Sequence, residues 1–288
     1  MGIKQYGSVY GHQIIIGLYK LFGYKVIAII LNFVAFYYAL LTPSVKKSLT
    51  SYYEHLGLKL DLFTYFKHIR NFSFSIFDRF ISRIDPEELS FERENTEEFL
   101  SLQKGGIVLL SHIGGWATAA HSMKAEIPPM NIVMNEATKG KISKYEKSKQ
   151  RKNETNVKIL DLNQGAIAVN IQIANALMKK EVVAMMADRV LDPRKVISVN
   201  FLGDQVEINK NPFDIAYRLK QPLIATFSVM LKERHYKLIF KKIETENKTL
   251  EEIAQVYMDI LTEIIKVYPD QWYNFFDIFN PKEINDNK

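Results

Sequence analysis

Short apolar runs alternate with longer helical patterns through the second half of the chain. The strand-like runs cover residues 107–110, 131–135, 157–160 and 182–187, and the helical patterns cover 166–178 and 250–267. Strands that alternate with helices usually pair in parallel. The pattern therefore predicts an α/β fold with a mainly parallel central sheet flanked by helices. Ligands bind such sheets at the carboxyl ends of the strands, so polar residues there are candidates for a functional site.

The longest apolar stretch lies near the N-terminus. Val26 to Leu41 is a run of sixteen residues with one polar member, Asn32, and lysines flank it on both sides. A perpendicular transmembrane helix needs about 20 apolar residues. The run therefore predicts a shallowly inserted or re-entrant helix at least as well as a membrane span, with a buried core helix as the alternative. No small-residue cleavage site follows it, which argues against a cleaved signal peptide.

A second helical pattern follows this apolar run. Residues 48–84 are rich in aromatic and basic side chains, and apolar residues recur there at intervals of three and four, as at Phe66, Ile69 and Phe72. This spacing predicts an amphipathic helix whose apolar face packs against the core. We assign residues 1–45 to a membrane-anchoring N-terminal segment and residues 46–288 to one larger domain.

Composition narrows the possible chemistry. Of the 288 residues, 47% are hydrophobic and none is cysteine, so the chain has enough apolar side chains for a large core and no thiol for disulfides or metal binding. Histidines in zinc-site spacing are also missing from the sequence, so we predict no metal. The net charge is +6, and residues 139–152 contain seven basic side chains and one acid. Such a segment favours an anionic membrane surface or an acidic carrier protein, while no motif indicates nucleic acid.

The candidate chemistry is concentrated at the end of the first apolar run. Residues 107–110 lead directly into Ser111 and His112, followed by Gly114 and Gly115, and a helix is expected to begin near residue 118. A histidine at this position is a candidate general base. Backbone N–H groups near the two glycines are candidates for stabilising an oxyanion. The alternative is a histidine that only bonds to a neighbouring carbonyl group.

The segment from Ser111 to Trp116 resembles the Ser-His-x-Gly-Asn-Trp-Glu box of the lysophospholipid acyltransferase superfamily, in its late lipid A acyltransferase-like branch. Other segments of the chain resemble this branch in the same order: Phe201-Leu-Gly203, a helix opened by Pro212, a strand opened by Pro222, and the segment Tyr268-Pro-Asp-Gln-Trp-Tyr-Asn-Phe-Phe-Asp277. The resemblance implies a glycerol-phosphate acyltransferase-like fold for residues 46–288. It also implies that His112 is the catalytic base and that Ser111 and Trp116 contact the substrate.

The chain departs from the family motif at one position. Five residues after the histidine the family has Glu or Asp, which orients the imidazole, and this chain has Ala117. Three explanations are open: another carboxylate replaces the acid, the alanine was introduced and inactivates the protein, or catalysis has been lost.

A second candidate pair, Asp188-Arg189, follows the strand-like run 182–187. Asp188 is our candidate for the replaced acid, and Arg189 is suited to bind an anionic part of a substrate. A surface ion pair is the alternative for both residues. Our hypothesis fails if the Asp188 carboxylate lies beyond hydrogen-bond reach of the His112 ring.

Taken together, the resemblance implies an acyltransferase on the cytoplasmic side of the inner membrane. Its donor would be a thioester of acyl carrier protein or coenzyme A, its acceptor would be a membrane lipid, and no cofactor would be required. The alternative is a catalytically inactive acyltransferase-like protein that binds lipid or acyl carrier protein. A soluble α/β hydrolase is less favoured because the chain has no Gly-x-Ser-x-Gly motif.

Overall fold

The computed structural model describes residues 9–122, 127–134, 156–190 and 192–280. The described helices are α1 (Val9–Leu41), α2 (Pro43–His55), α3 (Leu62–Ile84), α4 (Thr96–Leu100), α5 (Trp116–Ser122), α6 (Ala166–Met178), α7 (Asn211–Leu219) and α8 (Leu250–Val267). The strands are β1 (Ser90–Glu94), β2 (Gly106–Gly114), β3 (Met130–Met134), β4 (Val157–Asp161), β5 (Val182–Met186), β6 (Val196–Phe201), β7 (Asp204–Asn209), β8 (Leu223–Lys232) and β9 (His235–Ile243).

Seven of these strands form one mostly parallel sheet, in the order β1-β9-β8-β2-β5-β3-β4. Within it, the β8–β9 pair is antiparallel and the other pairs are parallel. Alternate residues of β2, such as Ile107 and Val108, enter separate apolar clusters on the two faces. Both faces are therefore covered, which explains why the strand is apolar throughout. The predicted α/β fold with a mainly parallel sheet is confirmed.

The element boundaries follow the sequence pattern where that pattern is strongly periodic. Helices α6 and α8 begin and end at the predicted residues, and Thr249 and Glu252 form a capping box at the start of α8. The helix after the histidine begins at Trp116, earlier than expected, because the Gly115 carbonyl already accepts the first helical bonds. The basic segment 139–152 lies outside the described residues.

The N-terminal apolar helix is longer than the run predicted from the sequence. Helix α1 reaches Leu41 from Val9 and is interrupted at Gly23, whose φ of 73° is not helical. Among the described residues, Ile14–Leu41 is the one helix long and apolar enough to cross a membrane. One side of α1 packs against α3 through buried residues that include Tyr24 and Ile27. The division of the chain at residue 45 remains a prediction.

Strand β2 ends in a glycine that no other residue replaces easily. The pairing of β2 with β8 shifts register between Leu110 and Gly114, so the strand bulges around His112. Gly114 has a φ of 50°, and a Cβ atom added there would lie 2.0 Å from the Ser228 carbonyl oxygen. Both the backbone conformation and the available space therefore require glycine at this position.

We expect Gly114→Ala to destabilise the protein by on the order of 3 kcal/mol, because the new methyl group forces β2 away from β8. The midpoint of thermal unfolding in detergent should fall by roughly 5–10 °C. Gly17→Ala is the matched control, since no heavy atom lies within 4 Å of a Cβ there. Equal melting temperatures for the two variants would contradict this account of the glycine.

Candidate active site

His112 and Asp188 meet at the carboxyl ends of two neighbouring parallel strands. His112 lies near the end of β2, and Asp188 follows β5, which pairs with β2. The imidazole Nδ1 lies 2.8 Å from Asp188 Oδ1. The His112 backbone N–H also donates to Asp188 Oδ2, at 2.8 Å. The carboxylate therefore holds both the ring and the backbone of the histidine, and it is within the hydrogen-bond reach that our hypothesis required.

A third donor comes from the C-terminal signature, residues 268–277. The Trp272 indole Nε1 donates to Asp188 Oδ2 at 3.0 Å, and both side chains are almost fully buried. The next residue, Tyr273, donates its backbone N–H to the His112 carbonyl oxygen at 2.7 Å. Sequence comparison identified this segment as part of the resemblance but gave Trp272 no role. The contact between Trp272 and Asp188 forms only in the folded chain. The available sign of it in the sequence was the position of this tryptophan within a family signature.

The electrostatics favour an ionised Asp188 beside a neutral His112. Burial by itself raises the pKa of the Asp188 carboxyl, but the charge and hydrogen bonds of His112 and the charge of Arg189 lower it well below its usual range. Burial lowers the pKa of the His112 imidazole below 6.5, although Asp188 acts in the opposite direction. At neutral pH, His112 therefore carries its proton on Nδ1, facing Asp188.

The other ring nitrogen of His112 is available for chemistry. No hydrogen bond joins Nε2 to any of the described residues, and 19% of the side chain is exposed. The Trp116 ring lies edge-on to the imidazole, with centroids 6.0 Å apart. A neutral imidazole with its Nδ1 proton held by a carboxylate can accept a proton at Nε2.

Both glycines pack closely against neighbouring elements, and one of the two is bonded through its N–H group. The Gly115 backbone N–H donates to the Ser228 carbonyl oxygen at 2.7 Å, so the expectation of a free donor at Gly115 is wrong. The Gly114 carbonyl oxygen accepts a hydrogen bond from Ser75 Oγ at 2.6 Å. A Cβ atom at Gly115 would lie 2.4 Å from the Tyr236 ring. Close packing on both sides accounts for this glycine pair.

Other residues that the sequence predicted for the site are buried or bonded within the protein. Ser111 is fully buried, so its side chain presents no surface to a substrate. The Arg189 guanidinium donates to the Tyr273 carbonyl oxygen and lies over the Phe276 ring, 5.3 Å from its centroid. Arg189 therefore supports the C-terminal signature, and its role in substrate binding remains a prediction. Ala117 is half-buried. No cluster of three or more potential metal ligands occurs in the described part of the chain.

A mostly parallel α/β sheet that presents a histidine–carboxylate pair at its carboxyl edge is suited to proton abstraction from a nucleophile. Residues 76–280 match the family model described as bacterial lipid A biosynthesis acyltransferase. Because the match covers more than half of the chain, the chain belongs to this family, within the lysophospholipid acyltransferase superfamily. The family suggests acyl transfer in lipid biosynthesis and, together with α1, association with a membrane. No curated protein matches the chain significantly.

The hydrogen bond to Asp188 sets the direction in which the His112 pKa responds to mutation. Because the carboxylate favours the protonated imidazole, we expect Asp188→Asn to lower the His112 pKa further below 6.5. The measurement is an NMR titration of ¹⁵N-histidine-labelled protein in detergent micelles. His112→Gln identifies the signal by its disappearance. A midpoint that rises in Asp188→Asn would be inconsistent with a hydrogen bond that favours the protonated imidazole.

Proposed function

We propose that this protein transfers a fatty acyl chain from a thioester to a hydroxyl or amine group of a lipid or glycolipid. The donor is a thioester of acyl carrier protein or coenzyme A, and the reaction takes place at the cytoplasmic face of the inner membrane. The observation that carries the proposal is the hydrogen bond between His112 Nδ1 and Asp188 Oδ1, at 2.8 Å, which leaves Nε2 available. Family membership supplies the class of reaction.

In the proposed reaction, His112 acts first as a base and then as an acid. Nε2 takes the proton of the acceptor O–H or N–H group as its oxygen or nitrogen bonds to the thioester carbonyl carbon. The carbon–sulfur bond then breaks, and the thiolate takes the proton from Nε2. Asp188 stabilises the imidazolium between these steps. The acyl donor is a substrate, and the scheme uses no metal or other cofactor.

The same geometry supports Asp188 as the replacement for the motif acid at Ala117. The motif acid and Asp188 would have the same task, which is to hold Nδ1–H and to stabilise the positive charge. Asp188 is fully buried and bonded to both the ring and the backbone of His112, so its position is defined more tightly than a surface carboxylate would be. Of the three explanations for Ala117, the replacement by another carboxylate has this support.

One observation favours a second candidate function. Ala117 removes the acid that the family places five residues after the histidine. A protein that has lost catalysis would bind lipid or acyl carrier protein without transferring an acyl chain. Because binding does not require a proton-accepting Nε2, the two candidates differ in how they respond to mutation of His112.

A panel of four proteins separates these candidates: the unsubstituted chain, His112→Ala, Asp188→Asn and Ala117→Glu. We expect the unsubstituted chain to transfer acyl groups, His112→Ala to be inactive, and Asp188→Asn to be slower by about three to four orders of magnitude. Thioester turnover and the mass of the product lipid are measured, with a set of membrane lipids as acceptors. Activity found only in Ala117→Glu would instead establish the inactive form of a family enzyme.

Trp272→Phe tests whether the indole N–H helps to position Asp188, because this variant loses the N–H and keeps an aromatic ring. We expect a smaller loss of kcat than in Asp188→Asn, with little change in KM, since Trp272 acts only through Asp188.

The rate should also depend on pH in a defined direction. His112 must be neutral to accept a proton, and its pKa in the folded protein is lowered from 6.5. We therefore expect kcat/KM, which reports the free enzyme, to be constant near neutral pH and to fall only at acidic pH, with a midpoint below 6.5. Thermal unfolding measured at the same pH values separates this effect from denaturation. A midpoint above 7 would exclude His112 as the titrating base in this form.

A further inference from the structure

We infer that α1 lies along the membrane with its exposed face in a single leaflet and does not cross the bilayer. This inference goes beyond the proposed reaction and does not depend on the identity of donor or acceptor. Length and composition alone allow α1 to span a membrane. The contacts of α1 with the rest of the protein argue against a span.

Helix α1 is not one straight helix. Gly23, with φ 73° and ψ −177°, separates an N-terminal part from the part that runs to Leu41. The second part contains about 18 residues and is roughly 27 Å long. The hydrocarbon core of a bilayer is about 30 Å thick. The second part alone is therefore barely long enough to span, and a longer span would place the break at Gly23 inside the membrane.

One side of α1 is covered by protein. Residues spaced three or four apart are buried along the second part: Tyr24, Ile27, Leu31, Ala35 and Ala39. Helix α3 provides much of this contact. A helix that crossed the bilayer in this position would bring α3 into the membrane with it.

Polar and charged groups of the domain also bond to α1. Arg70 Nε donates to Asn32 Oδ1 at 2.8 Å, and Arg70 also pairs with Glu233. Asn32 lies near the middle of the apolar run, so a span would place this ion pair near the bilayer centre. A charge costs several kcal/mol at that depth. The Tyr24 hydroxyl likewise bonds to Asp78, at 3.0 Å.

The opposite side of α1 is apolar and exposed. Its large side chains are Leu21, Phe22, Ile29, Phe33, Phe36, Tyr37, Leu40 and Leu41, and Leu62 and Phe63 extend the apolar surface onto the start of α3. Phe33 and Phe63 are each 72% exposed. A helix with one apolar face open and one face held by protein is the arrangement of an interfacial helix.

Positive charges at both ends of this face favour its contact with an anionic leaflet. Lys20 and Lys25 are exposed near one end, and Lys46 is exposed just past the other. These lysines are suited to anionic lipid headgroups while the apolar side chains enter the acyl region. In a pair of copies joined through this face, the same lysines would be brought together and would repel one another. We therefore assign the face to lipid and not to a second copy.

The chain contains no cysteine, so single cysteines can report its topology. We would introduce Lys20→Cys, Lys46→Cys, Phe33→Cys and, as the marker of the domain, Lys266→Cys. Each variant is treated with a membrane-impermeant maleimide in inside-out inner-membrane vesicles and in spheroplasts. Cysteines at 20, 46 and 266 should label from the same side. The cysteine at 33 should label only after detergent is added.

Labelling of the cysteine at 20 from the side opposite to 266 would overturn the inference, because α1 would then cross the bilayer. Free labelling of the cysteine at 33 in intact vesicles would also overturn it, because the face would then not lie in lipid. Neither result depends on acyl transfer, so failure of this inference and failure of the proposed reaction can be distinguished.

A flotation assay tests the occupant of the face. The double variant Phe33→Asp/Phe36→Asp should bind vesicles of phosphatidylethanolamine and phosphatidylglycerol at least tenfold more weakly than the unsubstituted chain. Ile167→Asp/Ile171→Asp is the matched control, because it makes the same change at exposed apolar positions of α6 and should keep vesicle binding. Equal binding by both variants would overturn the inference. So would a dimer that the first variant converts to a monomer.

Discussion

The candidate site depends on one buried carboxylate. A buried ion is stable only where donors replace the water that it has lost. Asp188 has three such donors: the His112 ring, the His112 backbone N–H, and the Trp272 indole. The donors come from β2 and from the C-terminal signature, and the carboxylate itself follows the end of β5. Loss of any of these elements would leave Asp188 without a full set of partners, so the carboxylate joins the centre of the sheet to the end of the chain.

This arrangement also gives Ala117 a physical meaning. A family acid at that position would lie in the first turn of α5, after the glycine pair, whereas Asp188 approaches His112 from the neighbouring strand. The parallel register of β2 and β5 places their carboxyl ends side by side, so the approach from β5 requires no change in the fold. On this view, the imidazole keeps a carboxylate partner although the motif position is alanine.

Helix α3 connects the site to the proposed membrane face. Ser75 on α3 donates to the Gly114 carbonyl oxygen, beside His112. One turn later, the buried Asp78 accepts hydrogen bonds from Tyr24 of α1, at 3.0 Å, and from Tyr236 of β9, at 2.6 Å. The ring of Tyr236 in turn packs against Gly115. The helix that we place in the leaflet and the glycine turn that follows the histidine are therefore held by the same element.

The sequence by itself determined the features that depend on neighbouring residues. Apolar periodicity gave α6 and α8 their bounds, and the order of apolar runs indicated the parallel sheet that brings His112 and Asp188 to one edge. The sequence made Asp188 the candidate partner of His112 among the 32 acidic residues, but only tertiary structure decided that the two bond, since they are 76 residues apart in the chain. It also gave Trp272 its contact with Asp188, bonded the Gly115 N–H to β8, and covered one face of α1. These contacts join distant segments, and only the packing of the whole chain fixes their distances.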